Sequence, residues 1–521
     1  MNAQDRNHDV GALDEDEHVI GKQGEVEQIE NVCLSATSTG REGYRAATPE
    51  EVQLDRRINL KTDCIVIFVL AAGFLFQAID KGNIGNAATT ESFIKDVHLK
   101  PNDVSNSVSL YAATFIPCMP VSVALGRIIG PRWWLPFIMV AWGAVTTAQA
   151  AMTSRAQMMA LRLLLGVCEA GYVPTAYYFI GTLYPTYQAG FRMGLMSMSF
   201  TFAGAFSGLI AYGCFILPSS RWKDWQVLFL VQGSVTLFIS VLALVSLPTN
   251  LGTAWFLTKR ERAHAARRMV ADTAAVSSGA DASPQSNSHS ITLRNVVEAF
   301  KDWKKFLIVI FNMCATTPSY GFAIFLPLVV KGMGYDSVKA NLMAVPPFMV
   351  GAVGLTTIVW LSDYFRERSG FAALSMFISI IGYIVLITSS NNQLRYGFLH
   401  IAMIGAGTAN PLIAAWLTDN TPDQATRAVI MGFYGLTNIA GVIAGQIFRS
   451  SYAPTYHVSL VATMVIVLVG MFGFLGVRGL YMLENRNRRR EIATWSDEQF
   501  QAERMDARKQ GHAKRYFIFG Y

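Results

Sequence analysis

Apolar runs long enough to cross a bilayer recur along this chain at about 63–79, 106–125, 134–152, 158–180, 193–216 and 226–247. A second set follows at about 305–330, 340–361, 371–390, 396–418, 428–448 and 457–482. Nothing in hydrocarbon replaces water as a hydrogen-bond partner, so a run of this length must close its backbone bonds internally, as a helix. The pattern predicts an all-α membrane protein of about twelve transmembrane helices in two six-helix halves. Charge agrees: Asp, Glu, Lys and Arg make up 15% of the residues, against about 25% in soluble domains.

The intervals between the runs set the organisation. Residues 1–58 are polar, carry an acidic DEDE stretch at Asp14–Glu17 and lack hydrophobic periodicity, which predicts a disordered cytosolic tail. The polar opening residues predict no cleavable signal peptide, so the first span is expected to direct insertion. A six-helix bundle is expected over 59–248, a cytosolic linker over 249–303, a second bundle over 304–484 and a cytosolic tail over 485–521. The linker holds a basic cluster (Lys259, Arg260, Arg262, Arg267, Arg268) and a Ser/Ala/Asp stretch. An even number of spans puts both tails on one side. That side collects Arg56, Arg57, Lys61, Arg127, Arg132, the linker cluster, Arg366, Arg368 and Arg486–Arg490, so both termini are expected in the cytosol, with the plasma membrane as the expected location.

Several function classes fall away. The formal charge of +7 comes from bases clustered between spans, which points to the bilayer and away from nucleic acid. The six cysteines are scattered singly, with no CxxC or His–Cys spacing, so neither a disulfide framework nor a zinc site is expected. No phosphate-binding loop, HExxH, GxSxG, haem or flavin motif occurs. The expectation is a protein that is not an enzyme and needs no cofactor.

The halves repeat one another. Pro174 and Pro185 stand eleven residues apart, as do Pro411 and Pro422. Glycines precede each pair (Gly166 and Gly171; Gly405 and Gly407). A glutamine and an arginine follow each (Gln188 and Arg192; Gln424 and Arg427), and the next span then carries GxxxG (Gly204/Gly208; Gly441/Gly445). Internal repeats of this kind mark transporter folds.

The chemistry concentrates in the fourth span, where Arg162, Gly166 and Glu169 share one helical face. An ionised group in hydrocarbon costs several kcal/mol unless it faces a protein interior or a watery cavity. A structural ion pair between spans is one reading; a transport site is the other, and it is the one adopted here. Two helical turns, about 10 Å, separate the two charges, so they are not expected to bond each other. The tenth span has a lone His400 and no carboxylate, so the first half is expected to carry the charges and the second to add neutral polar contacts such as Asn410. The seventh span starts unusually polar (FNMCATTPSYGF, Phe311–Phe322) and offers Asn312 and Tyr320; Asn438 in the eleventh is a further polar position.

These residues resemble the major facilitator superfamily, and within it the fungal anion:cation symporters of the allantoate permease group. AIDKGNIGNA (Ala78–Ala87) is similar to the group's first-helix ending, and RLLLGVCEAGYVP (Arg162–Pro174) to its fourth helix. LSDYFRER (Leu361–Arg368) resembles the superfamily's loop between the eighth and ninth helices; NTPDQATRA (Asn420–Ala428) and YAPTY (Tyr452–Tyr456) also fit. GRIIGPR (Gly126–Arg132) lacks the aspartate usual in the loop after the second helix, and Lys81 replaces the usual arginine. The resemblance implies alternating access around a central cavity, Lys81 and Asn83 facing it, and proton-driven symport.

The expected function is therefore secondary transport of a small organic anion, such as a vitamin or a nicotinate-, pantothenate- or allantoate-like acid, together with protons. Glu169 is the expected proton-coupling carboxylate. Arg162 is the anion anchor, because a guanidinium stays charged when buried and binds carboxylates in two-pronged fashion. Lys81, Asn83, Asn312, Tyr320 and Asn410 complete the substrate contacts, and Asp363, Arg366 and Arg368 form a cytosolic gate. The alternative on the same fold is an exporter of a fungal secondary metabolite; a nutrient sensor without turnover is a third.

Overall fold

The structure, a computed structural model, describes residues 48–217, 221–278, 302–421, 424–505 and 514–521. Twelve helices are long and apolar enough to cross a membrane. In order they are Pro49–Ala87, Asp103–Ile129, Pro131–Ala151, Arg155–Leu183, Gln188–Ile216 and Asp224–Ser246, then Trp303–Gly332, Ser337–Phe365, Ser369–Thr388, Asn392–Asp419, Val429–Ile447 and His457–Ile492. No strand occurs among the described residues. Each overlaps one of the predicted runs.

The packing repeats with the sequence. Spans 1 and 5, 2 and 4, and 3 and 6 pack together in the first half; 7 and 11, 8 and 10, and 9 and 12 do so in the second. Between the halves span 1 meets span 7, while span 5 meets span 8 and span 2 meets span 11. The last two contacts are the ones a twofold relation exchanges. The duplicated GxxxG pairs lie on them. A Cβ at Gly208 would stand 2.5 Å from Asn341 O, and one at Gly445 would stand 3.0 Å from Ser105 O, so only glycine lets the backbones come this close.

Hydrogen bonds across the halves gather at the end opposite the linker. Thr89 O accepts from Lys331 Nζ (2.5 Å) and Ser337 Oγ (2.7 Å), and Thr89 Oγ1 accepts from Asn341 Nδ2 (3.0 Å). Ser105 Oγ donates to Phe448 O (2.6 Å) and Gln446 Nε2 to Ser109 Oγ (2.7 Å).

Three boundaries differ from the sequence expectation. The reading of a disordered tail to residue 58 fails over its last part, since the first helix begins at Pro49; residues 1–47 lie outside the described residues. Thr48 and Glu51 form a reciprocal capping box, and Pro49 supplies a preset helical φ, so the start is polar and invisible to hydropathy. The linker, second, holds a helix at Lys259–Ser278. Its bases are not all solvent-facing anchors: Arg268 Nη1 lies 3.3 Å and His264 Nε2 3.0 Å from Asp55 Oδ1, and Glu261 takes Lys61 Nζ at 2.8 Å. Third, the last span runs to Ile492, past the expected edge at 484, and residues 514–521 fold back onto the second half. Trp416 Nε1 and Asn420 Nδ2 donate to Gly520 O (2.8 and 3.0 Å), and Phe519 stacks on Tyr481 with centroids 4.6 Å apart.

Spans 4 and 10 are both broken. Span 4 is helical over Arg155–Glu169 and again over Tyr172–Leu183. Span 10 is helical over Asn392–Ala406 and Ala409–Asp419. Pro174 and Pro411 fall in the first turn of the second segments, where a missing N–H costs nothing. Gly171 holds φ +84° at the first break, and a Cβ there would stand 2.5 Å from Ser122 Oγ. Gly171→Ala is expected to lower the melting temperature in detergent, the backbone conformation alone costing about 1–2 kcal/mol. Gly194→Ala, whose Cβ would meet nothing within 4 Å, is expected to leave melting unchanged or raise it slightly.

Candidate functional site

The break in span 4 puts Glu169 at the end of a half-helix, where its carbonyl has no partner in the helix. Gln77 of span 1 supplies one: its Nε2 donates to Glu169 O at 2.9 Å. The Glu169 carboxylate is fully buried. Its Oε2 accepts from Tyr111 OH at 2.6 Å, and its Oε1 has no hydrogen-bond partner.

Two turns away on the same helical face, Arg162 is 2% exposed. Its Nη1 donates to the Asp80 carbonyl at 3.4 Å, while Nε and Nη2 are buried without a partner. As expected from their two-turn separation, no hydrogen bond or ion pair joins Arg162 to Glu169. Asp80, buried as well, is held by Asn83 Nδ2 (3.0 Å) and Thr146 Oγ1 (3.2 Å). Lys81 Nζ sits 4.7 Å from the Phe115 ring centroid and 5.8 Å from that of Tyr111. Two cations and two carboxylates thus share one interior. A buried charge is tolerable only when opposite charge and donors surround it.

Beside this group a cavity lies between the halves. Lys81, Arg162, Tyr111, Phe115, Val108 and Ala112 line it from the first half; Tyr320, Ile324, Asn438 and Gly441 line it from the second. Tyr320 OH donates to Asn438 Oδ1 at 2.5 Å, and Asn438 itself sits at the end of a short 3-10 turn, Gly435–Asn438, that interrupts span 11.

Of the residues singled out in the sequence, Arg162, Lys81, Tyr320 and Asn438 reach the cavity, and Glu169 touches it through Tyr111. Asn83 does not: it is fully buried and turned to Asp80, because its position one turn after Asp80 makes the carboxylate its nearest acceptor. Asn312 and Asn410 form a separate network in the second half. Asn312 Nδ2 donates to Asn410 Oδ1 (3.0 Å) and Thr437 Oγ1 (3.3 Å), and Tyr434 OH donates to Asn410 O (2.7 Å). That network adjoins Asn438 along the chain and does not line the cavity. At the linker end, Arg368 pairs with Asp363 and lies 3.5 Å from Asp419, bridging spans 8 and 10. Arg366 is no part of this bridge; it is exposed, in the left-handed conformation that caps span 8.

Tyr111 and Phe115 were not foreseen. Val108, Tyr111, Ala112 and Phe115 follow the spacing of one helical face, a signal present in the sequence but the same as that of any packed span. Asp63 was missed too. It accepts from Arg192 Nε (2.9 Å) and Nη2 (3.0 Å) and from Tyr184 OH (2.6 Å), which ties the start of span 5 to span 1.

Comparison with known proteins agrees with this architecture. The sequence matches the profile of the Major Facilitator Superfamily over residues 70–446. It is 32% identical over 438 residues to the MFS-type transporter efuF of Hormonema carpetanum, covering 83% of this chain and 86% of that one. It is 32% identical over 482 residues to the major facilitator-type transporter hxnP of Emericella nidulans, covering 88% and 94%. The high-affinity nicotinic acid transporter of Saccharomyces cerevisiae is 26% identical over 455 residues, covering 87% and 82%. Among solved structures, a bacterial homologue of the human lysosomal transporter Spinster aligns with a TM-score of 0.59 at 15% identity, covering 83% of this chain and 98% of that one. The xylose transporter XylE from E. coli aligns at 0.55 and 14%, covering 78% and 96%. With twelve spans in two repeated halves, and a profile match across most of them, this chain is a transporter that belongs to the Major Facilitator Superfamily.

Proposed function

We propose that the chain carries a small organic anion into the cell together with a proton, by rocking its two halves about the central cavity. The observation that carries this reading is the pair Arg162 and Lys81 on the cavity wall, with Glu169 one hydrogen bond behind it. With Asp80 and Glu169 ionised, the two carboxylates balance the two cations. A monoanion entering the cavity adds one uncompensated charge at membrane depth, which costs several kcal/mol. A proton on Glu169 restores the balance, so anion and proton favour each other's binding. Arg162 has two free donor nitrogens for the anion. The relative named as a nicotinic acid transporter supports a small acid as cargo. The motifs AIDKGNIGNA and RLLLGVCEAGYVP support the allantoate permease group as the finer placing. With the termini cytosolic in the plasma membrane, the bonds around Thr89 close the outer mouth, and the Arg368–Asp363 and Arg368–Asp419 pairs brace the inner gate.

Uptake of labelled small acids into cells expressing the chain tests this reading: accumulation is expected to collapse with an uncoupler, and accumulation indifferent to it sinks proton symport. Glu169→Gln is expected to abolish concentrative uptake while leaving substrate exchange across the membrane. Retained pH-dependent accumulation removes Glu169 from the coupling. Arg162→Lys keeps the charge but loses the planar donor set; the half-saturating anion concentration is expected to rise about tenfold or more, equivalent to about 1.4 kcal/mol. An unchanged value places the anchor elsewhere.

A further inference from the structure

The bridge between Arg368 and Asp419 is held from outside the spans. We infer that residues 514–521 are a positioning strap for that bridge, an inference that rests on the gate described above and adds a part to it. Two buried asparagines grip the strap by its backbone. Asn485 of span 12 donates from Nδ2 to Phe519 O (2.8 Å) and accepts from Phe519 N at Oδ1 (2.9 Å). Asn420, at the end of span 10, treats Gly520 in the same way, with Nδ2 donating to O at 3.0 Å and Oδ1 accepting from N at 2.8 Å. A side-chain amide sets a donor and an acceptor side by side, which matches the two backbone groups of one residue and ignores its side chain. Phe519 supplies the anchor. It is buried and stacked on Tyr481, with Arg488 at 4.6 Å and Lys304 at 5.3 Å from its ring centroid.

What this grip holds is the gate. Asn420 follows Asp419 in the chain, so Gly520 fixes the backbone beside one bridge partner. The next strap residue fixes the other, since Tyr521 O accepts from Arg368 N at 2.6 Å. Arg478 stands 5.9 Å from the Tyr521 ring centroid and pairs with Glu367, the neighbour of Arg368. Two consecutive strap residues thus span the gap between the loop after span 8 and the end of span 10. Across that gap the Arg368 guanidinium lies 3.5 Å from the Asp419 carboxylate. A partly exposed ion pair gains little by itself, because holding two side chains in register costs entropy. With both backbones fixed beforehand, less of that entropy remains to be lost. The strap's own docking is a near balance. Ordering its eight residues costs free energy of the same order as burying Phe517 and Phe519 and making the strap's hydrogen bonds returns. Docking is therefore reversible, and the bridge comes and goes with it.

Hydrogen exchange of the purified full chain in detergent, read by mass spectrometry, follows strap and bridge together. In the unaltered protein the amides of Phe519 and Gly520 are expected to be protected. Gly520→Pro removes the donor to Asn420 without touching a span, and Asn485→Ala removes the other grip. Each is expected to speed exchange about tenfold or more over 514–521, and with it over residues 366–370 and 418–421. Gly520→Ala keeps the donor, and its Cβ would meet only Asn420 Oδ1 at 3.9 Å, so protection is expected to survive. Fast strap exchange in the unaltered protein, or gate segments that stay protected once the strap is lost, overturns the strap whatever the chain transports. Uptake of the labelled acids supplies the link to transport. Gly520→Pro is expected to lower the maximal rate by about half or more with the half-saturating concentration unchanged, and Arg368→Ala to add no further loss to it. Losses that multiply separate the strap from the bridge and overturn the inference. Failure of every acid to accumulate counts against anion transport, while the exchange result still decides the strap.

Discussion

A transmembrane segment must bond its own backbone, and the fourth span breaks that rule at one place. Its helix stops at Glu169, resumes at Tyr172 and turns through a left-handed Gly171 between them. The cost is met by a neighbour, with Gln77 capping the Glu169 carbonyl. Irregular backbone at membrane depth is tolerated where protein or a cavity surrounds it, and discontinuous helices are where transporters of several folds hold their ligands. The charged group beside the cavity is arranged around this interruption: Tyr111 on the carboxylate, Arg162 on the same helix, and Asp80 and Lys81 on the span that supplies the cap.

The second half repeats the break without the charge. Span 10 is interrupted just before Asn410, and the polar groups near it, Asn312, Thr437 and Tyr434, are neutral and bonded to one another. At the broken spans, one half thus gathers Arg162 and Glu169 and the other a neutral network around Asn410. The halves touch through glycine-lined approaches exchanged by the pseudo-twofold.

Much of this was legible in the chain. The span count follows from run length, the halves from the duplicated prolines and GxxxG pairs, and the buried charges from their place in an apolar run. Other features were hidden for physical reasons. The capped helix start at Pro49 is polar, so hydropathy passes over it although Thr48 and Glu51 spell a capping box. Asn83 looked cavity-facing by resemblance and instead holds Asp80. Arg366 looked like part of a gate, yet its neighbour Arg368 alone takes the acids. Residues 514–521 carry aromatics that read as a charged tail's end until they are seen packed on Tyr481 and Trp416.

The sequence alone determined how many helices cross the membrane, where the chain repeats and which helix carries ions, because run length, spacing and residue type are local properties. Only the tertiary structure decided that Tyr111 reaches Glu169, that Lys81 lies on Phe115 and that Tyr320 and Asn438 close the same cavity. Helical periodicity says which residues share a face of one helix. Which faces meet depends on the rotation and tilt of each helix against all its neighbours, and no single segment encodes that.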